Sequence, residues 1–157
     1  MKRIGNLKEK ICTLDNIYLA DENARLNKTK KYGIQKHDKN RDVENQTLLQ
    51  DFINLSYKTS QYSTFKIYEP KERIIYRLPY YPDRIAHHAI MNIMEGIWKR
   101  VFIKNTYSSI RGRGIHKCAN DLYNDLQNNV QKTRYCLKLD VHKFYPSIDH
   151  DILYSII

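Results

Sequence analysis

A chain of 157 residues has room for one domain with a real core and hardly for two. Apolar residues make up 41% and charged residues 28%, the balance of a soluble globular protein. The 27 Lys and Arg against 17 Asp and Glu leave a formal charge of +10, which points to a polyanionic partner or to a basic surface with no specific partner.

No apolar run is long enough to span a membrane, and the charged start Met1-Lys-Arg leads into no signal-peptide core, so the expected location is the cytoplasm. Cys12, Cys118 and Cys136 are too far apart for a zinc knuckle, and a reduced state is the simplest account of them. The 13 tyrosines could stack on bases or sugars, or serve mainly in packing. There is no internal repeat and no low-complexity tract.

From the start, Ile4, Leu7, Ile11 and Leu14 recur at helical spacing. Ile17, Ala20 and Ala24 continue a second helix, with Asp15 as its expected cap. Lys28, Lys30, Lys31, Lys36, Lys39 and Arg41 then crowd a segment holding one acid, Asp38. It reads as a loop, either a solvated linker or a contact for nucleic-acid backbone. Val43, Leu48, Leu49, Phe52, Ile53 and Leu55 predict another helix.

Two β-rich runs follow, from Phe65 to Glu69 and from Arg73 to Leu78, around Pro70-Lys71-Glu72. They predict a hairpin with a charged tip. Lys71 offers a point charge and Arg73 a fork for phosphate oxygens, although a solvated turn would show the same residues. Pro82 and Asp83 suit a helix start. Ile85, Ala86, Ala89, Ile90, Ile93, Met94, Ile97, Trp98 and Val101 form an apolar stripe at 3.6-residue spacing that predicts a core helix. His87 and His88 diverge by about 100° around such a helix and do not share a metal easily.

No carboxylate occurs between Glu95 and Asp121, where Lys99, Arg100, Lys104, Arg111, Arg113 and Lys117 fall. At the centre lies Thr106-Tyr107-Ser-Ser-Ile-Arg111-Gly112-Arg113-Gly114, ahead of a helix carrying Ile115, Ala119, Leu122, Tyr123, Leu126 and Val130. Glycines permit close backbone approach, and two arginines at a helix start attract an anion; a solvated basic turn is the alternative. Further on, Tyr135, Leu137, Leu139 and Val141 alternate with Cys136, Lys138, Asp140 and His142. This period of two predicts a half-buried strand with Asp140 on its open face. Asp is depleted in strands, so Asp140 is either a rigidly held metal ligand or a surface residue at a strand end. Asp149 reads as the cap of a last helix.

The run Asp140-Val-His-Lys-Phe-Tyr145-Pro-Ser-Ile-Asp149 resembles the first catalytic motif of reverse transcriptases of the bacterial retroelement kind, those of group II introns, retrons and diversity-generating elements. The hairpin with Leu78-Pro79-Tyr-Tyr-Pro82-Asp83-Arg84-Ile85 resembles that family's fingers, and the Tyr107–Gly114 stretch its second motif. The second motif departs from the family pattern, with Gly112 where many relatives have Pro and Ile110 where an aromatic is common. The resemblance covers about Phe65 to Ile157, and the first third only weakly.

The resemblance implies an α+β fold: a basic helical extension over 1–64, fingers over 65–132, and the first palm strand over 133–157. It implies an RNA-directed DNA polymerase using magnesium, with manganese as a substitute, held by Asp140 and Val141. Asp140 would be catalytic. Lys71, Arg73, Val141, Phe144 and Tyr145 would bind the incoming deoxynucleoside triphosphate, with Tyr145 as the gate against a ribose 2′-hydroxyl. Tyr107, Arg111, Gly112 and Arg113 would contact the template. Implied partners are an RNA template, a DNA or RNA primer and an accessory protein of the retroelement, with no membrane.

Two-metal phosphoryl transfer needs several carboxylates. The family's Tyr-x-Asp-Asp hairpin does not occur here, and Ile156-Ile157 end the last helix with its apolar side uncovered. The expectation is therefore an N-terminal portion, inactive by itself. A non-catalytic basic RNA-binding module or inactive remnant is the alternative, and an RNA-dependent RNA polymerase is disfavoured by Tyr145.

Overall fold

The structure is a computed structural model that describes residues 4–156; the charged start Met1–Arg3 and Ile157 lie outside the described residues. It mixes helix and sheet, an α+β composition. The chain divides into two compact units, Met1–Phe102 and Ile103–Ile157. That boundary falls inside the segment 65–132 expected to form the fingers.

Unit 1 contains α1 (Leu7–Ile11), α2 (Leu14–Arg25), α3 (Tyr32–Asp38), α4 (Arg41–Ile53), β1 (Ser63–Ile67), β2 (Arg73–Arg77) and α5 (Ile85–Val101). A wide helical turn over Tyr80–Arg84 leads into α5, and within it Tyr81 is extended (φ −101°, ψ 136°).

Thr13, not Asp15, caps α2: its hydroxyl accepts from the Asn16 N–H at 3.2 Å. Thr13 has the extended backbone a cap requires, whereas Asp15 is already within the first turn. The lysine-rich segment is not a continuous loop. It contains α3, because Ile34 and His37, one turn apart, both turn inward and are buried.

The core joins Ile17, Ala20 and Ala24 of α2 to Ile34, Leu48, Phe52, Tyr80, Ile85, Ala86 and Ala89. Ile17, Leu48 and Ile85 are fully buried, each contributing about 1.5–3 kcal/mol relative to exposure. The α5 stripe is core only in its first turns, through Ala89: Ile90 is 38% exposed and Val101 is 55% exposed. Asn16 ties α2 to α5 from within the core, donating through Nδ2 to the carbonyls of Ile11 (2.9 Å) and Ala89 (3.0 Å). Asn92 donates to the Asn16 side-chain oxygen at 2.9 Å, so neither end of this buried amide is left unpaired.

β1 and β2 form the expected antiparallel hairpin, with Ser63 opposite Arg77, Phe65 opposite Ile75 and Ile67 opposite Arg73. Unit 2 contains α6 (Ile115–Asn128), a 3₁₀ turn at Tyr145–Ser147 and α7 (His150–Ile156). Asp149 caps α7 as expected, its Oδ1 accepting from the N–H groups of Asp151 and Ile152 at 3.0 Å. Among the described residues of unit 2, Ile110 alone is buried, while Ile115, Leu122 and Tyr123 on α6 remain exposed.

The strand expected at Tyr135–Val141 is not formed. Tyr135, Leu137, Leu139 and Val141 are between 62% and 87% exposed. A strand exists through its ladder of inter-strand hydrogen bonds, and among the described residues no neighbouring strand pairs with this run.

Candidate functional site

The candidate residues fall into three groups. Lys71 and Arg73 lie at the hairpin tip in unit 1, where both are exposed. Across the turn, Lys66 Nζ meets Glu72 Oε1 at 2.6 Å, so the one carboxylate between Lys71 and Arg73 is already engaged. Among the described residues neither Lys71 nor Arg73 makes an ion pair, leaving two cations free on a projecting ribbon.

The Tyr107–Arg113 loop belongs to unit 2. Tyr107 donates its hydroxyl to Asp121 Oδ2 at 2.8 Å, and Lys117 Nζ reaches both oxygens of Asp121 at 2.9 Å. Lys117 and then Tyr107 hold the Asp121 carboxyl below its ordinary range, while the Asp121 bond pushes the Tyr107 phenol up. Arg113 Nη1 donates to the carbonyls of Lys104 and Thr106, each at 3.1 Å. Gly112 has φ +76°, a left-handed turn that its missing Cβ permits, and buried Ile110 anchors the loop. Tyr107 and Arg113 thus hold the loop in shape, and Arg111 is the exposed cation it presents.

Asp140, Val141, Phe144 and Tyr145 form the third group. Asp140 is exposed on the unpaired run. The Phe144 and Tyr145 rings meet edge to face, with centroids 5.3 Å apart and planes at 71°. Tyr145 opens the 3₁₀ turn, which Ser147 Oγ stabilises by donating to the carbonyls of His142 (3.1 Å) and Lys143 (2.9 Å). No hydrogen bond or ion pair among the described residues joins this group to the Tyr107–Arg113 loop.

Magnesium, implied by the resemblance, demands near-octahedral oxygen ligation, and paired ions need several shared carboxylates. Asp140 brings one carboxylate and Val141 no side-chain donor. No three His, Cys, Asp or Glu lie together as a metal-holding group among the described residues. These residues do not fit a two-metal centre by themselves.

The densest polar cluster was not anticipated from sequence. Asp21, fully buried, accepts from Arg25 Nη2 on both oxygens at 2.8 Å, from Arg41 Nε at 2.5 Å, and from the Tyr80 hydroxyl. His37 Nε2 stands 3.6 Å from Asp21, and its Nδ1 stands 2.5 Å from Glu44. Burial pushes the Asp21 carboxyl up, but His37, Tyr80 and the two arginines pull it well below the usual range. Burial likewise lowers His37, and Asp21 and Glu44 reverse this, raising it above the ordinary imidazole value. The one local signal was the Asp21–Arg25 spacing of four residues.

A second buried acid, Asp83, accepts from the Tyr57 hydroxyl at 2.9 Å and the Ser60 N–H at 3.0 Å, pinning the chain between α4 and β1. It stands in the first turn of the helical segment leading into α5, the helix start expected of Pro82 and Asp83, and anchors the chain before β1 as well. Cys12, Cys118 and Cys136 are free thiols, and among the described residues no helix is long and apolar enough to cross a membrane. No protein-family model matches this chain, and no curated protein matches its sequence.

Proposed function

We propose that this chain carries the fingers and the first palm segment of an RNA-directed DNA polymerase of the bacterial retroelement kind. The observation that carries the reading is the hairpin, which holds Lys71 and Arg73 unpaired at an exposed tip, where a triphosphate's oxygens could be gripped. The Asp140–Tyr145 run supports it, with one exposed carboxylate five residues ahead of an exposed aromatic ring. In this reading Lys71 and Arg73 neutralise the triphosphate, Arg111 steadies template backbone, and Tyr145 excludes the ribose 2′-hydroxyl.

The carboxylates beyond Asp140 would come from a Tyr-x-Asp-Asp hairpin elsewhere in the reading frame, and the 157 residues alone are expected not to extend a primer. The test is primer extension on an RNA template by the product of the full reading frame. Loss of extension in Asp140→Ala, and acceptance of ribonucleotides in Tyr145→Ala, are the expected results. Unchanged extension in Asp140→Ala would remove the reading.

A non-catalytic basic RNA-binding module is the second reading. It is favoured by Arg111, an exposed cation on a loop that its own side chains already brace. A reading frame with no Asp-Asp hairpin would select it.

A further inference from the structure

Unit 1 contains a cleft of about 780 Å³ that takes in none of the candidate residues at the hairpin tip, the Tyr107–Arg113 loop or the Asp140–Tyr145 run. It lies between α3, the turn at Tyr80–Arg84 and the face of the hairpin carrying Phe65 and Ile75. Five cations line it, Lys28, Lys31, Lys36, Arg77 and Arg84, and all are exposed. Among the described residues none of the five makes an ion pair. The one carboxylate in the lining, Glu44, is held by His37 at 2.5 Å.

Unpaired cations converging on one concavity repel each other unless an anion sits among them, so their placement calls for one. Their field is felt nearby: burial, then the charges of Lys28 and Arg84, push His88 down. The lining also offers aromatic faces. Tyr32 is 79% exposed and Phe65, on the hairpin face that borders the cleft, is 48% exposed, rings left in water beside the cations. Backbone-tracking cations beside open rings are the two components of single-strand recognition: charge for phosphates and a π-face for any base. The volume lies within the range of about 300–1,000 Å³ that holds nucleotide-sized ligands, and is too small to take in a double helix.

We infer that this cleft is a binding site for single-stranded nucleic acid, taking one or two unstacked nucleotides with phosphates on Lys28, Lys31 and Arg84 and bases on Tyr32 and Phe65. The site extends the reading above without resting on it, since it involves neither the hairpin tip, nor the Tyr107–Arg113 loop, nor Asp140.

The test is fluorescence anisotropy of the whole chain with a labelled 12-nucleotide oligouridylate and with a blunt RNA duplex of equal length, titrated between 50 and 300 mM KCl. The single strand should bind more tightly than the duplex. The triple substitution Lys28→Ala, Lys31→Ala, Arg84→Ala should weaken single-strand binding and flatten the salt dependence by about 2 in log–log slope, at about 0.7 for each phosphate no longer neutralised. The double substitution Tyr32→Ala, Phe65→Ala should weaken it at least 10-fold, stacking being worth about 1–3 kcal/mol per base, and leave the slope unchanged. All five residues are exposed, so unchanged circular dichroism and melting should accompany both variants. Equal affinity for duplex and single strand, or wild-type binding by the Tyr32→Ala, Phe65→Ala variant, would overturn the proposal. If oligonucleotide binding is lost instead in Arg111→Ala, the cleft assignment fails and the polymerase reading is untouched. If Asp140→Ala abolishes extension by the full-length product while the cleft variants bind normally, the outcome is the same.

Discussion

Replacing Asp21 with Asn tests whether one carboxylate holds α2, α3, α4 and the turn before α5 together. The substitution keeps shape and volume but removes the charge that faces two guanidinium groups, and turns an amide N–H₂ towards donors. Removing one partner of a buried pair costs about 3–5 kcal/mol, because the other charge stays behind uncompensated. Two features place this site at the lower end. The side chains of Arg25 and Arg41 are 18% and 32% exposed, and Arg25 retains Asp38 at 2.7 Å. A loss of about 3 kcal/mol at pH 7 is expected. Urea unfolding followed by circular dichroism measures it, with the midpoint falling and the slope retained. The penalty should also depend on acid. Asp21 titrates below its ordinary value when folded, so its contribution is complete above about pH 4 and disappears as pH falls through the folded value. The gap between wild type and Asp21→Asn should therefore narrow below about pH 4. A loss under about 1 kcal/mol at pH 7, or a gap independent of pH, would refute the clamp.

Other outcomes follow from the same unit. His37 binds its proton more tightly when folded, so its contribution is complete below about pH 6.5 and is lost as pH rises through the raised folded value. The unfolding free energy of the wild type, from urea titrations, should decline across that window by at most about 1.4 kcal/mol per pH unit, and that of His37→Gln should be flat there. Gly33→Ala places a Cβ 3.0 Å from the Tyr80 Cβ. Overpacking of about 1–3 kcal/mol should outweigh about 1 kcal/mol of helix propensity, giving a net loss near 1 kcal/mol by thermal melting. Asp83→Ala leaves the Tyr57 hydroxyl and Ser60 N–H without their acceptor, at about 1–3 kcal/mol for each donor that stays buried. Faster tryptic cleavage at Lys58 should accompany that loss, and an unchanged cleavage rate would argue against anchorage.

What the sequence made legible was periodicity. The apolar spacings of α2, α4 and α5, the hairpin around Pro70-Lys71-Glu72 and the Asp149 cap are all local signals, and each appears in the fold. The α3 helix was hidden because seven residues make two turns, and only Ile34 and His37 face inward among lysines. Choosing Thr13 over Asp15 as the cap needed backbone geometry, since both side chains can accept from a helix N-terminus. Alternation at Tyr135–Val141 described a residue pattern suited to a strand, but pairing is a property of a neighbour rather than of the run. The buried network escaped for a related reason: Asp21 meets Arg41 and Tyr80 from 20 and 59 residues away. Of the candidate residues, Lys71, Arg73 and Arg111 are exposed and make no ion pair among the described residues, while Tyr107 and Arg113 are occupied within their own loop.

The thin interior of unit 2 has a kinetic consequence. A 14-residue helix whose apolar side faces water gains little from tertiary packing, and isolated helices of that length are marginal. The backbone amides of α6 should open and trade hydrogen for deuterium within seconds, whereas those of α2, closed over by the core, should wait for unfolding of the whole unit. Within one chain, the amides would then keep two clocks: a slow one behind Asp21, and a fast one around Arg111.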